Sequence, residues 1–301
     1  MKRLEAIIVK YQGKKHKSLR RIGGGYYADV YKVNYENAES VIVKVYKTKG
    51  VMEKERESLK LLSGYSLAPV PTVMWTYKAG EAYDRDILAM NYLDGRLGGT
   101  VFCLSKVKRK KLADSVAENL MAFHKVISPD GFGEIGSSIR YKTFNEYYKI
   151  QAEKILPMAE ELEGRGQLTP FAVETMRRAL ERFDRIFYLP ITEAVLIHGD
   201  YNMWNILVDR KECTVSAVID PCGCMWGDSE YDLYQLNNAN GVKLGLFKSY
   251  ASKRKLSENC LLKMAFYELF NSVEHYYMSG HPVRKRKMDR RIKELRKYLE
   301  V

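Results

Sequence analysis

The chain has 301 residues, 46% of them hydrophobic, which is enough for a sizeable core in one or two domains. Its apolar runs are too short to predict a membrane span or a signal peptide. Five cysteines without regular spacing argue against a disulfide framework and predict a reducing, cytoplasmic location. The formal net charge of +13 is compatible with an anionic partner, but no nucleic-acid-binding motif accompanies it, so nucleic acid is not the expected partner.

Residues 1–90 are predicted to form a small β-rich lobe. The segments "SLRRIGGGYYADVYKVNY" (18–35) and "SVIVKVYK" (40–47) alternate apolar and polar residues and indicate a hairpin around Gly23, Gly24 and Gly25. A helix is predicted over 51–65, followed by strands within 69–80 and 85–93. A triple glycine lets the backbone approach a phosphate, although an ordinary hairpin turn is the alternative.

After Asp94 and Gly95 the pattern is mainly helical. Short strands are predicted only at Val195–Ile197, Ile206–Val208 and Val215–Ile219, around a conspicuous polar loop. Helices are predicted over 106–126, 143–163 with an interruption at Pro157, 170–188, and from Leu244 onward, ending in a basic amphipathic helix over 281–301. The sequence therefore predicts an α+β fold of two lobes, 1–90 and 97–301, joined by a hinge over 91–96, with a ligand cleft between them.

Lys44 is the one charged residue in the otherwise apolar strand "VIVKVY". It is either an outward-facing surface lysine or a cation directed toward the glycine turn. The helix that follows supplies an acidic partner, and Glu55 is preferred because Leu59 and Leu62, four and seven residues on, mark its side of the helix as buried. The alternatives for this partner are Glu53 and Glu57.

The polar loop "HGDYNMWN" has the spacing H-x-D-x-x-x-x-N, which matches the catalytic loop of kinases. In that chemistry a carboxylate orients and deprotonates a hydroxyl, and an amide binds a metal that bridges phosphates. Asp200 and Asn205 stand at these positions, and Asp220, directly after the predicted strand Val215–Ile219, is a candidate for the second metal ligand. Singly, each residue could instead cap a turn or end a strand. In this order along the chain, they favour phosphoryl transfer.

These residues resemble those of the protein-kinase-like phosphotransferases that act on small molecules, such as aminoglycoside phosphotransferases, choline kinases and fructosamine kinases. No D-F-G or A-P-E motif is present, so a protein kinase is not expected. The segment "DPCGCMWGDSEYDLYQL" is similar to the fructosamine kinase branch. Asn202 and Trp204 stand where that branch usually has tryptophan and glycine.

The resemblance implies that ATP, or alternatively GTP, binds under Gly23–Gly25 with its base against the main chain near Asn91 and Leu93. Lys44, held by Glu55, would contact the phosphates. Asn205 and Asp220 would hold Mg²⁺, and Asp200 would be the catalytic base. The expected partner is a small-molecule hydroxyl acceptor, with no membrane involved.

The acceptor itself stays open at this stage. A ketosamine is one hypothesis, an aminoglycoside- or choline-type acceptor is another, and a non-catalytic nucleotide-binding pseudokinase is a third. The aromatic residues that flank the catalytic segments could stack on a sugar or belong to the core: Trp204, Trp226 and Tyr231. Polycationic aminoglycosides need an acidic pocket, which a chain of net charge +13 does not obviously offer. His124, on an apolar helix face, is predicted to be a hydrogen-bonded structural histidine.

Overall fold

The computed structural model describes residues 1–280 and 282–299. The predicted terminal helix is present as α10 (Pro282–Leu299), and its apolar residues Met288, Ile292, Leu295 and Leu299 are buried. His281, Glu300 and Val301, which the prediction included, lie outside the described residues. Within the described part of the chain, no helix is both long and apolar enough to cross a bilayer.

The N-terminal part is built on a five-stranded antiparallel sheet with the strand order β1-β2-β3-β5-β4. Its strands and helices are α1 (Lys2–Gln12), β1 (Ser18–Gly24), β2 (Ala28–Asn34), β3 (Val41–Tyr46), α2 (Val51–Ser63), β4 (Val73–Tyr77) and β5 (Ile87–Asn91). Helix α1 was not predicted. It forms because Leu4, Ile7 and Ile8, spaced three and four residues apart, are buried against one face of the sheet.

The C-terminal part is mainly helical, with two small three-stranded sheets in the orders β10-β9-β6 and β7-β11-β8. Its helices are α3 (Lys106–Phe123), α4 (Phe144–Gly164), α5 (Pro170–Glu181), α6 (Phe183–Ile186), α7 (Gly241–Leu244), α8 (Leu246–Ala251) and α9 (Cys260–Ser279), before α10. Its strands are β6 (Arg96–Leu97), β7 (Gly133–Glu134), β8 (Val195–Ile197), β9 (Ile206–Val208), β10 (Val215–Val218) and β11 (Met225–Gly227). Two 3-10 segments, Gly98–Thr100 and Ser229–Asn237, complete it.

Two predictions for this helical part were wrong in detail. Helix α4 runs through Pro157, whose ring lies on the solvent side while Ile155 and Ala159 bury the opposite face in the core. The single helix predicted over 170–188 is divided into α5 and α6 near Arg182. The two-lobed α+β architecture itself is confirmed.

The two faces of the N-terminal sheet belong to different cores, because side chains alternate along a strand. Val41, Val43 and Val45 of β3 pack on the α1 side. Tyr46 faces the other way, toward Leu59 of α2, in a core that continues into the C-terminal helices. Lys44 has the same parity as Tyr46, so its side chain points toward α2 and the C-terminal part.

A buried ion-pair network fixes the 3-10 segment Ser229–Asn237 to α9. Lys263, only 2% exposed, places its Nζ 2.7 Å from Asp228 Oδ2 and 2.8 Å from Glu230 Oε2. Tyr267 donates a further hydrogen bond to Asp228. Burial by itself would raise the pKa of Glu230, but the Lys263 ammonium, together with two hydrogen bonds from Ser257, outweighs it and holds the pKa of that carboxyl below its ordinary value.

We expect Lys263→Met to lower the free energy of unfolding by about 3–5 kcal/mol at pH 7, because two buried carboxylates lose their cation. The lowered pKa of Glu230 contributes stability above the pKa of an unfolded glutamate, about 4.3, and that contribution is lost as the pH falls. The deficit of the variant should therefore be largest near neutral pH and shrink as the pH falls from about 5 to about 3. Urea denaturation of both proteins from about pH 7 to about pH 3 checks the prediction, and a deficit that does not change with pH would contradict it.

Candidate active site

The loop between β8 and β9 depends on a glycine. Gly199 has a φ of +76°, and a Cβ there would lie 2.0 Å from the carbonyl oxygen of Gly223. Only glycine tolerates both the left-handed backbone and this approach. The middle residue of the His-Gly-Asp sequence is therefore set by contact with the turn that follows Asp220.

The main chain of the same loop is held by Asp232, which is fully buried. Its carboxylate accepts hydrogen bonds from the main-chain N–H groups of His198 (2.9 Å) and Gly199 (2.7 Å). It also contacts His124 Nε2 at 3.2 Å, and His124 Nδ1 lies 2.7 Å from the Tyr250 hydroxyl. His124 is thus the hydrogen-bonded structural histidine predicted. Sequence reasoning gave Asp232 no role, although a lone carboxylate within "YDLYQL" was an available signal.

His198 joins this loop to the strand that carries Asp220. Its Nε2 lies 3.2 Å from the carbonyl oxygen of Ile219, and its Nδ1 accepts the N–H of Asp200. These two partners require a neutral ring protonated on Nε2. Burial lowers the pKa of His198, which is consistent with that neutral form.

The Asp200 carboxylate is held by two amides of its own loop. Asn202 Nδ2 donates to Oδ1 at 2.7 Å, and Asn205 Nδ2 donates to Oδ2 at 2.8 Å. Both hydrogen bonds stabilise the charged form of a carboxylate and restrict its rotation. Asn202, which had appeared only as a departure from the fructosamine kinase branch, therefore has a contact with the central carboxylate that the sequence did not suggest.

Lys44 reaches across to both parts of the molecule. Its Nζ lies 2.5 Å from Glu55 Oε1 and 2.7 Å from Asp220 Oδ1, and Tyr46 donates to the other oxygen of Glu55. Burial would lower the pKa of Lys44, but the two carboxylates outweigh it and raise that pKa, so the ammonium stays charged. The predicted ion pair with Glu55 is present. The alternatives Glu53 and Glu57 pair elsewhere, with Lys78 and Arg56.

Asp220 lies next to Asn205, because the N–H of Ile219 donates to the Asn205 carbonyl oxygen at 3.0 Å. The Lys44 ammonium is the main reason that the pKa of Asp220 is lowered, so this side chain is a carboxylate at neutral pH. An amide oxygen and a carboxylate are the hard donors that Mg²⁺ prefers, so the pair fits that ion. Glu55, Asp220 and Cys222 also form a cluster with ligand atoms within 4.8 Å. A thiol and the intervening Lys44 suit Mg²⁺ less well.

A cavity of about 710 Å³ lies between the glycine turn, the loop that joins β8 to β9, and helices α4 and α9. Gly24, Gly25, Lys44, Glu55, Asp200 and Asp220 all line it. Gly23 is paired with Val30 in the sheet and is not among the lining residues. Asn91, whose N–H donates to the Thr72 carbonyl oxygen, and Leu93 are not among them either.

The three aromatic residues predicted near the acceptor are not brought together. Tyr231 lines the cavity, and its hydroxyl accepts a hydrogen bond from Asn271. Trp204 is 51% exposed and lies over Gly99, away from the cavity. Trp226 belongs to β11 and packs against the hydrophobic core. The far end of the cavity is lined instead by residues that the sequence did not single out: Lys54, Glu134, Tyr147 and Glu274.

Comparisons with known proteins identify the family and the fold of the chain. Residues 18–245 match the model of the phosphotransferase enzyme family. The uncharacterized protein YcbJ of Escherichia coli strain K12 is 20% identical over 244 residues, which cover 81% of each chain. A "putative fructosamine-3-kinase" of Thermobifida fusca superposes with a TM-score of 0.71 at 21% identity over 98% of each chain. The ternary complex of streptomycin, ATP and APH(2″)-IIa gives a TM-score of 0.67 at 19% identity, covering 97% of this chain and 95% of that one.

The family match covers most of the chain, and these likenesses in structure span nearly all of it. The chain belongs to the phosphotransferase enzyme family and has its two-lobed, kinase-like fold.

Proposed function

We propose that this protein transfers the γ-phosphoryl group of ATP, with GTP as an alternative donor, to a hydroxyl group of a small molecule in a Mg²⁺-dependent reaction. One observation carries the proposal. A charged Lys44, paired with Glu55 and Asp220, and the amide-held carboxylate of Asp200 line a single cavity beside a glycine turn. The cysteines, which are free thiols, favour a cytoplasmic setting.

In this proposal the N-terminal side of the cavity binds the nucleotide. The glycine turn lies over the phosphates, and Lys44, kept cationic by its two carboxylate partners, neutralises part of their charge. The base of the nucleotide contacts the hinge near Asn91 and Leu93. Bound Mg²⁺, held by Asn205 and Asp220, would supply further charge neutralisation at the phosphates.

Asp200 then serves as the base. Its carboxylate takes the proton of the acceptor hydroxyl as that oxygen attacks the γ-phosphorus, while the bond from this phosphorus to the bridging oxygen breaks and the nucleoside diphosphate leaves. The Asn202 and Asn205 amides restrict the rotation of the carboxylate. Asp232 and His198 position the loop through its main chain. The work of the protein in such a reaction is mostly placement and electrostatics.

For the acceptor we propose a polyhydroxylated small molecule, with a ketosamine sugar as the first candidate. The similarity to a "putative fructosamine-3-kinase" supports it. An aminoglycoside- or choline-type acceptor is the second candidate, supported by the neighbour solved with streptomycin and ATP. The intact set of Lys44, Asp200, Asn205 and Asp220 weighs against a non-catalytic pseudokinase.

A panel of acceptors tests the proposal. The protein is incubated with Mg²⁺ and ATP or GTP together with ketosamines, neutral sugars, amino alcohols or aminoglycosides, and phosphorylated product is detected by mass spectrometry. We expect at least one acceptor to gain one phosphoryl group, and Asp200→Asn to slow the formation of that product by about 10²–10⁴-fold. Nucleotide binding without product across the whole panel would favour the pseudokinase instead.

A further inference from the structure

The far end of the cavity contains an ion pair that joins the two lobes. Lys54 Nζ, from α2, lies 2.8 Å from Glu134 Oε2, from β7. The two side chains are 26% and 47% exposed, and both line the cavity. Lys54 directly precedes Glu55 in α2, so one helix turn supplies a charge to each end of the cavity.

A second carboxylate belongs to the same group. Glu274, on α9, also lines the cavity. Burial raises the pKa of Glu274, Lys54 opposes that shift, and Glu134 adds to it. The three charges therefore lie close enough to influence one another, and Glu134 is the carboxylate that forms the ion pair with Lys54.

Aromatic rings surround this group. Tyr147 of α4 and Tyr27 of the glycine turn both line the cavity. Burial raises the pKa of each hydroxyl, and the charges of Glu134 and Glu274 raise it further. Carboxylates beside aromatic faces are the usual environment for an organic ammonium ion. In this protein the ammonium group of Lys54 already occupies that environment.

We propose that Lys54 is a specificity-determining residue, which occupies the cationic position of the acceptor pocket and excludes polycationic acceptors. This inference rests on the proposed function, because it takes the cavity as the acceptor site. With Lys54 in place, the group of Lys54, Glu134 and Glu274 carries one cation against two carboxylates, and Glu134 is already paired. Lys154 of α4 adds a further cation to the lining of the cavity. A neutral or singly charged polyhydroxyl compound can bind beside these charges without strong repulsion. A polyamine is repelled by the Lys54 ammonium, and it must break the Lys54–Glu134 ion pair to reach the carboxylate.

Kanamycin, a compact polyamine, is the probe for this inference. Calorimetry of kanamycin at low salt compares the wild type with Lys54→Gln, and we expect the variant to bind at least tenfold more tightly. Lys54→Arg keeps the charge and should bind like the wild type. Lys111→Gln is the matched control, because Lys111 makes an ion pair of the same 2.8 Å length with Glu212 and does not line the cavity. It removes the same net charge and should leave the affinity within about threefold of the wild type, a difference below about 0.7 kcal/mol.

The inference is overturned if Lys54→Gln binds kanamycin within threefold of the wild type, including the case in which neither protein binds it. It is also overturned if Lys111→Gln gains as much affinity, since net charge would then be the cause. The measurement needs no turnover, so it is separate from the acceptor panel. If the acceptor panel gives no product but Lys54→Gln binds kanamycin more tightly, only the proposed reaction is rejected. If the panel gives product but the affinity of Lys54→Gln for kanamycin does not increase, only the role of Lys54 is rejected.

Discussion

Replacing Asp200 by alanine is expected to lower the turnover number by about 10²–10⁴-fold, the usual contribution of a positioned general base. Nucleotide affinity should change by less than about threefold, because Lys44, the proposed phosphate ligand, forms its ion pairs with Glu55 and Asp220 rather than with Asp200. Turnover is measured with the best acceptor of the panel, and affinity is measured by calorimetry with a non-hydrolysable nucleotide.

Asn202→Ala is the control for this experiment. It keeps the carboxylate of Asp200 but removes the hydrogen bond to Oδ1, so we expect a loss of about tenfold, corresponding to about 1.4 kcal/mol, the size of one hydrogen bond to a charged group. A turnover number of Asp200→Ala within threefold of the wild type would reject its role as base. Equal losses in both variants would instead indicate that the loop acts through its shape.

Replacing Asp220 by alanine is expected to abolish the dependence of nucleotide binding on Mg²⁺. In the presence of the metal, we expect affinity to fall by about 100-fold, or about 2.7 kcal/mol, because the remaining proposed ligand is the single amide oxygen of Asn205. Lys44 keeps Glu55 as its partner at 2.5 Å, so the charge proposed to contact the phosphates is retained and some metal-independent binding should persist. Calorimetry of ATP with Mg²⁺ and with a chelator measures both quantities.

Cys222→Ala tests whether the nearby thiol takes part in this site. The Cys222 sulfur lies 3.4 Å from Asp220 Oδ1 and 3.3 Å from Glu55 Oε2, and burial raises its pKa well above the ordinary value, which disfavours the thiolate. We therefore expect this variant to keep the Mg²⁺ dependence of the wild type. If Asp220→Ala retains that dependence while Cys222→Ala loses it, the metal is held by the cluster of Glu55, Asp220 and Cys222 instead.

The sequence by itself determined the two-lobed architecture and the order of its chemical groups. Asp200 and Asn205 lie in a loop bounded by two short apolar strands, and Lys44 lies in a strand of alternating pattern, so local periodicity was sufficient to locate them. The choice of Glu55 over Glu53 and Glu57 also followed from helical spacing alone. In each case the position of the residue on its strand, loop or helix follows from the residues beside it in the sequence.

Only the tertiary structure decided which side chains complete the site. Asp232 is 34 residues from His198, and Lys54 is 80 residues from Glu134, so no periodic pattern relates the partners. Trp204 and Trp226 flank the catalytic segments in sequence, yet the packing of Trp204 over Gly99 and the pairing of β11 direct both rings elsewhere. The proposed acceptor pocket lies where α2, β7, α4 and α9 converge. Its charge balance therefore depends on how separate elements pack, which the order of residues does not reveal.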